Sequence, residues 1–390
     1  MRKKLFLGIF VILGIGLLFL SSCQENSIGP QTETDGTSDF LSSPRTVYVQ
    51  TNQSSGNKVN VYLSLHNGSL TLLNSYSTQG TGTDMGLGSQ GALAFSRGGT
   101  ILLVVNAGSN DVSVFSVFGA GLIFMDKVSS GGTKPVSITA HGKLVYVLNA
   151  GGSGNISGFY VTEKGHLDPI PNSTKYLSNN GVGNAPGPAQ VSFNPSGNIL
   201  IVTEKPTNKI LSYTVGADGV ANGPNIFSSA GNTPFGFSFR NNRQFMVSEA
   251  FGGAADSSAV SSYSVSNDGT VSLIDGPVFT TETAACWVVV TKNNRYTYTT
   301  NTGSGTITGY RIRYDGSLNL LNTDGVTADL GSGTSPIDMA LSNNSRYLYC
   351  LNSGTHTISS LSVNYNGSLT PINLSAVTGL PAGTAGILAK

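Results

Sequence analysis

Glu204 and Glu249 stand where this chain elsewhere places asparagine. The recurring phrase is a run of strand-forming residues, an Asn and a Gly-rich turn, as in "YTTNTGSG" at 298–305. Two copies read "TEKPTN" and "SEAFGG" instead. Asn at a corner tolerates a left-handed backbone and bonds its own chain, whereas Glu does neither well. A paired departure of this kind marks a place where a repeat has been put to use. Two neighbouring carboxylates can share a proton, hold a cation, or act as general acid and base. Glu249 and Glu204 are therefore the candidate catalytic residues, with Asp338 as a third carboxylate at the start of a nearby strand. Gln190, Phe235, Trp287, Asn301 and Asn352 are the candidate ligand-binding residues, amides to hydrogen-bond and rings to stack. The four histidines, His66, His141, His166 and His356, all fall in turns. Neither G-x-S-x-G nor H-E-x-x-H occurs, so His-based hydrolysis and a His-rich metal site are not expected, nor is a cofactor.

The elements that would carry these residues repeat. The marker residues are Asn52, Asn106, Asn149, Glu204, Glu249, Asn301 and Asn352, spanning 300 residues in six intervals that average 50. Each follows a strand such as "ILLVV" and precedes another such as "DVSVFSV". Then comes a hairpin signal, for example "HNGSL", "NDGTV" or "YDGSL", whose Gly supplies positive φ. A less regular fourth strand follows, and one further strand with its own turn precedes the marker strand, as in "PAQVSFNPSGN". Four strands at this period describe a propeller blade, which buries both faces only by stacking in a ring. The chain reads as all-β, a seven-bladed β-propeller over 45–390. The first unit lacks its inner strand, and "AGTAGILAK" at the C-terminus is an orphan inner strand, so the last strand is expected to close the ring on the first blade. With strands lettered A to D from axis to rim, the markers share one face of the disc with the start of strand A. That mouth would be ringed by Ala92, Ser137, Gln190, Gly236, Trp287 and Asp338. Arg243, Arg295 and Arg346 recur at A–B turns on the other face.

Composition agrees with short strands and tight turns: 50 Gly, and only 11% charged residues. A net charge of +1 offers no electrostatic case for nucleic acid. The chain opens with Arg2, Lys3 and Lys4, then an apolar run from Leu5 to Leu20, then Leu20-Ser21-Ser22-Cys23. That run is short for a membrane span and has the layout of an export signal. Its end resembles a bacterial lipobox, which makes residues 1–22 a lipoprotein signal peptide and Cys23 the lipidated N-terminus. Residues 24–44 are polar and low in aromatics, a flexible tether with a reach of about 25 Å. The expected location is the bacterial cell envelope, periplasmic or surface-exposed, with the membrane engaged through the lipid alone and the protein a monomer. Cys286 and Cys350 lie in different units and are expected to be buried free thiols.

The unit pattern, with "P-x-x-V-S-F-x-P-x-G-x-x-L-x-V" and its "Y-x-V-x-x-D-G" tail, resembles the lactonase family of seven-bladed propellers, which includes phosphogluconolactonases and carboxymuconate cyclases. The resemblance spans roughly residues 45–389, and is most specific at "TPFGFSFRNNRQFMVSEAFGG". It implies a site at one mouth built from acidic, His and Arg residues. Glu249 matches a Glu of the family's blade-five phrase, and Glu204 stands where the family often has Asp. Where the family tends to have Arg-His this chain has Phe235-Gly236, and where it tends to have His it has Ala189-Gln190. Two functions follow as expectations. One is a binding propeller that takes a small molecule, glycan or envelope protein at its mouth. The other is a lactone hydrolase or muconate-type cyclase using Glu249 and Glu204.

Overall fold

In all seven units the strand leading to the marker is buried along its whole length or nearly so: Thr46–Gln50, Ile101–Asn106, Leu144–Asn149, Ile199–Glu204, Gln244–Glu249, Tyr296–Asn301 and Tyr347–Asn352. A strand buried on both faces reads as a continuous apolar run rather than an alternation, as in "ILLVV" and "ILIV". Each such strand sits second in a four-stranded antiparallel sheet, between an inner strand A and a third strand C. The computed structural model describes residues 45–390 and arranges these sheets as seven blades. The inner strands contact one another in chain order and the last returns to the first, which closes the ring. Almost no helix is present among the described residues, only two 3₁₀ turns at Arg97–Gly99 and Phe251–Gly253.

Closure follows the expected route. Ile387–Ala389 forms the inner strand of the first blade, with Val47 opposite Ala389, Tyr48 opposite Leu388 and Val49 opposite Ile387. Backbone bonds from Ala385 to Gln50 and from Lys390 to Thr46 extend the seam. The outer strands depart from the repeat in two blades. In the third blade strand D splits into Leu167–Pro169 and Lys175–Tyr176, because Pro169 and Pro171 remove donors from the ladder. In the sixth blade it splits into Leu318–Leu320 and Ala328–Asp329 around the turn "NTDG".

Neighbouring blades hold each other through apolar faces and through tyrosines. Fully buried Val, Leu and Ile side chains of strands B and C fill the gaps between sheets, each contributing on the order of 1.5–3 kcal/mol. Tyr146 donates its hydroxyl to the Gly219 carbonyl in the next blade's C–D turn at 2.8 Å, and Tyr298 does the same to Gly367 at 2.8 Å. At Gly367 φ is +87°, and an added Cβ would lie 2.5 Å from the Tyr296 ring, so both turn and packing require glycine there.

Cys286 and Cys350 are buried free thiols. The signal segment, Cys23 and the tether lie outside the described residues.

Candidate functional site

Strand A presents its free edge to the axis, so its backbone N–H groups must find partners across blade boundaries. The residues at the start of strand A supply them. Val191 N–H donates to Ser137 Oγ of the preceding blade at 3.2 Å, and Phe237 N–H donates to Gln190 Oε1 at 2.7 Å. Asp338 takes two donors, Met339 N–H at 2.8 Å and Ile387 N–H of the closing strand at 3.2 Å. Ala92 has no polar side chain, and there Ile138 N–H uses the Gly91 carbonyl at 2.7 Å. The ring of strand-A starts inferred from the sequence does converge. It does so as a hydrogen-bonded girdle, with Gln190 and Asp338 almost wholly buried in it.

Gly236 breaks this ring, and a residue not singled out in the sequence fills the gap. Gln90 reaches across the axis from the segment leading into the second blade. Its Nε2 donates to the Val288 carbonyl at 2.7 Å and its Oε1 accepts Val288 N–H at 3.0 Å, in the sixth blade. A Cβ on Gly236 would lie 2.1 Å from Gln90 Oε1, so the crossing requires glycine at 236. The rest of the segment is pinned on all sides. Ser89 Oγ donates to the Val136 carbonyl at 2.8 Å, Gln90 N–H to the Ala189 carbonyl at 3.1 Å, and Trp287 Nε1 to the Ser89 carbonyl at 3.0 Å. Lys205 donates to the Gly88 carbonyl and places its ammonium 4.7 Å from the centre of the Phe235 ring. Burial pulls that ammonium below the usual lysine range. Phe235 and Trp287 pack at 4.8 Å between ring centres, with Ala189, Ala250 and Cys286 beneath them. The mouth on the marker face is thus plugged, and both aromatics are spent on the plug.

The marker residues do not face this mouth. All seven are fully buried within their own blade corners. Asn301 Nδ2 donates to Thr306 Oγ1 and Thr308 Oγ1 at 3.0 and 2.8 Å. Asn352 bonds Thr357 and Ser359 in the same way, at 3.1 and 2.8 Å. Glutamate reaches further than asparagine and collects backbone donors as well. Glu204 accepts Ser178 N–H at 3.0 Å, Ser178 Oγ at 2.6 Å and Thr207 Oγ1 at 2.7 Å. Glu249 accepts Gly231 N–H at 2.8 Å, Ser261 Oγ at 2.8 Å, Ser229 Oγ at 3.0 Å and Tyr263 OH at 3.1 Å. Burial raises the Glu249 carboxyl above the usual carboxylate range, and the four donors oppose that rise. The expectation that the two glutamates converge on the mouth, with Asp338 as their partner, gives way to this placement. Each is enclosed by its own blade, and neither lines the channel, whereas Asp338 does.

The axial channel remains as a cavity of about 390 Å³. Gln90, Gln190 and Asp338 form its floor, and its walls are the strand-A edges of all seven blades. Exposure grows away from the floor, through half-buried Ala140, Ser192, Ser238 and Phe239, so the cavity opens on the face of the A–B turns. Burial pushes the Asp338 carboxyl up to about 8, against the pull of its two backbone donors. Such a lining can hydrogen-bond a small polar molecule through strand edges, Ser238 and a carboxyl that is protonated below that value. Among the described residues no three His, Cys, Asp or Glu side chains are grouped to hold a metal ion.

These observations define a seven-bladed β-propeller with a floored axial cavity. A family model described as "Lactonase, 7-bladed beta-propeller" matches residues 38–182 of the chain. Among solved structures, it is similar to a candidate 6-phosphogluconolactonase of Bacteroides fragilis, at 18% identity and a TM-score of 0.66, covering 93% of this chain and 100% of that one. A candidate 6-phosphogluconolactonase of Bacteroides uniformis gives 16% identity and a TM-score of 0.68, covering 89% and 100%. The periplasmic gluconolactonase PpgL of Pseudomonas aeruginosa gives 14% identity and a TM-score of 0.67, covering 88% and 98%. At these identities the likeness speaks for the fold alone. No curated protein matches the chain.

Proposed function

We propose that this chain is an envelope-tethered, lactonase-like propeller that binds a small polar ligand in its axial channel and does not carry out family-type catalysis. The observation that carries the reading is the plug. Gln90 occupies the space beside Gly236 at the mouth where the resemblance would place Arg and His, and Glu204 and Glu249 are committed to blade corners. A carboxylate with no route to substrate has no proton to exchange with it. The cavity volume falls within the range of small-molecule sites, and a floored channel with one opening excludes water from one end.

The test pairs binding with turnover. Thermal shifts are measured with monosaccharides and sugar lactones, on the wild type and on Ser238→Trp, which fills the channel. Stabilisation by a sugar that Ser238→Trp abolishes is the expected result. Lactone hydrolysis by the wild type, lost in Glu249→Gln while that variant keeps its fold, would overturn the reading and favour the hydrolase named by the neighbouring structures.

A further inference from the structure

The two faces of the disc differ in charge and in what they expose. The face of the A–B and C–D turns carries Arg243, Lys292, Arg313 and Arg346 exposed in the fifth to seventh blades, with Arg45 beside them in the first. Among the described residues none of these five has a carboxylate within ion-pair distance. Two tyrosines stand at the C–D turns of the same sector, Tyr314 at 98% exposure and Tyr365 at 85%. Arg295 lies 5.4 Å from the centre of the Tyr365 ring and bonds its hydroxyl at 3.3 Å, which holds an aromatic and a cation together at the surface. The opposite face exposes Asp84, Asp256, Asp324 and Asp329 beside Lys58 and Lys134, whereas the basic sector carries only Asp268 and Asp315 among its C–D turns. The described chain also starts on the basic face. Arg45 accepts Ser64 N–H through its carbonyl at 2.9 Å, next to the first C–D turn, and its guanidinium lies 6.0 Å from the centre of the Tyr347 ring.

We infer that this basic, tyrosine-bearing sector docks on an anionic lipid surface. Three observations select lipid over other polyanions. The sector holds five cations with no direct ion pair against two carboxylates, Asp268 and Asp315, and anionic headgroups attract each Lys or Arg near them. Exposed tyrosines suit the interfacial zone, where the ring meets acyl chains and the hydroxyl meets water. The described chain begins at Arg45 on this same face, and the lipidation expected at Cys23 would hold the propeller at a lipid surface. The surface is separate from the channel floor, so it does not depend on what the channel binds.

The whole ring closes within residues 45–390, so a chain from residue 24 onward carries the complete fold without the lipid. Its co-sedimentation is measured with vesicles of pure phosphatidylcholine and with vesicles containing phosphatidylglycerol. Partition onto the anionic vesicles alone is expected, weakening as salt rises. Arg313→Gln and Arg346→Gln should each weaken it about fivefold. Tyr314→Ser with Tyr365→Ser should weaken it further at fixed charge, while Lys58→Gln with Lys134→Gln on the other face should leave it unchanged. Equal partition onto both vesicle types would overturn the inference. So would equal loss from the other-face pair, or binding to soluble heparin with none to anionic vesicles, which would assign the sector to a polyanionic glycan.

Discussion

Alanine at position 236 tests the plug most sharply. Gly236 lies within the extended strand Pro234–Asn241, so alanine carries no backbone penalty and its effect is steric. The new Cβ would lie 2.1 Å from Gln90 Oε1, 2.8 Å from the Cys286 carbonyl oxygen and 3.0 Å from Trp287 Cα. The Gln90 amide must leave. Its departure orphans the N–H and carbonyl of Val288, at about 1–3 kcal/mol for a buried group left unpaired. The two backbone contacts add about 1–3 kcal/mol of overpacking. Gly236→Ala should therefore destabilise by roughly 2–6 kcal/mol. Gln90→Ala loses the same two bonds without the backbone contacts, and should cost about 1–3 kcal/mol. In the double variant the bonds are already lost, so it should be no less stable than Gly236→Ala alone. The deviation from additivity is then about the cost of Gln90→Ala itself. The assay is equilibrium urea unfolding followed through Trp287, the only tryptophan, whose indole bonds the plug. Additive losses, or a Gly236→Ala variant as stable as the wild type, would refute the account of the plug.

Asp338 predicts a pH dependence. Its folded value of about 8 lies above the unfolded 3.8, so its contribution is fully present below the unfolded value and is lost as pH rises towards 8. The stability difference between wild type and Asp338→Asn should shift by about 1.4 kcal/mol per pH unit over that window, to the disadvantage of the wild type. Urea midpoints taken across the window check it, and a difference that stays constant contradicts a protonated carboxyl. Glu249→Ala should cost about 3–5 kcal/mol, because it opens a cavity and strands Gly231 N–H and Tyr263 OH. Glu249→Gln should cost about 1–2 kcal/mol, since the amide oxygen still serves Gly231. An unchanged midpoint for Glu249→Ala would contradict the corner-staple role.

The blades were legible because their information is local. Asn-Gly and Asp-Gly turns, strand-length apolar runs and a steady period all sit within one unit, and the orphan strand, expected at residues 383–389 and found at Ile387–Ala389, needed only counting. The site was less so. Gln90 lies in the irregular stretch between strand D and the next strand A, and its partner Val288 is 198 positions away, so no pattern in the chain points to it. The absent side chain at Gly236 was visible, but not what had taken its place. Glu204 and Glu249 were visible as departures from the repeat. Their burial depends on the segment leading into each blade, where Ser178 and Gly231 supply backbone donors, and spacing does not encode that fold-back.

The seam of the ring also bears on how the protein comes into being. Val49 pairs with Ile387, so the first blade cannot be completed until almost the whole described chain has been made. Joining segments so far apart costs roughly 5 kcal/mol in chain entropy and makes this the slowest contact to find. Until then Thr46–Gln50 waits with an open edge, a template for pairing with other chains. A truncated product would keep that edge for good. Closure thus acts as a proofreading step for length.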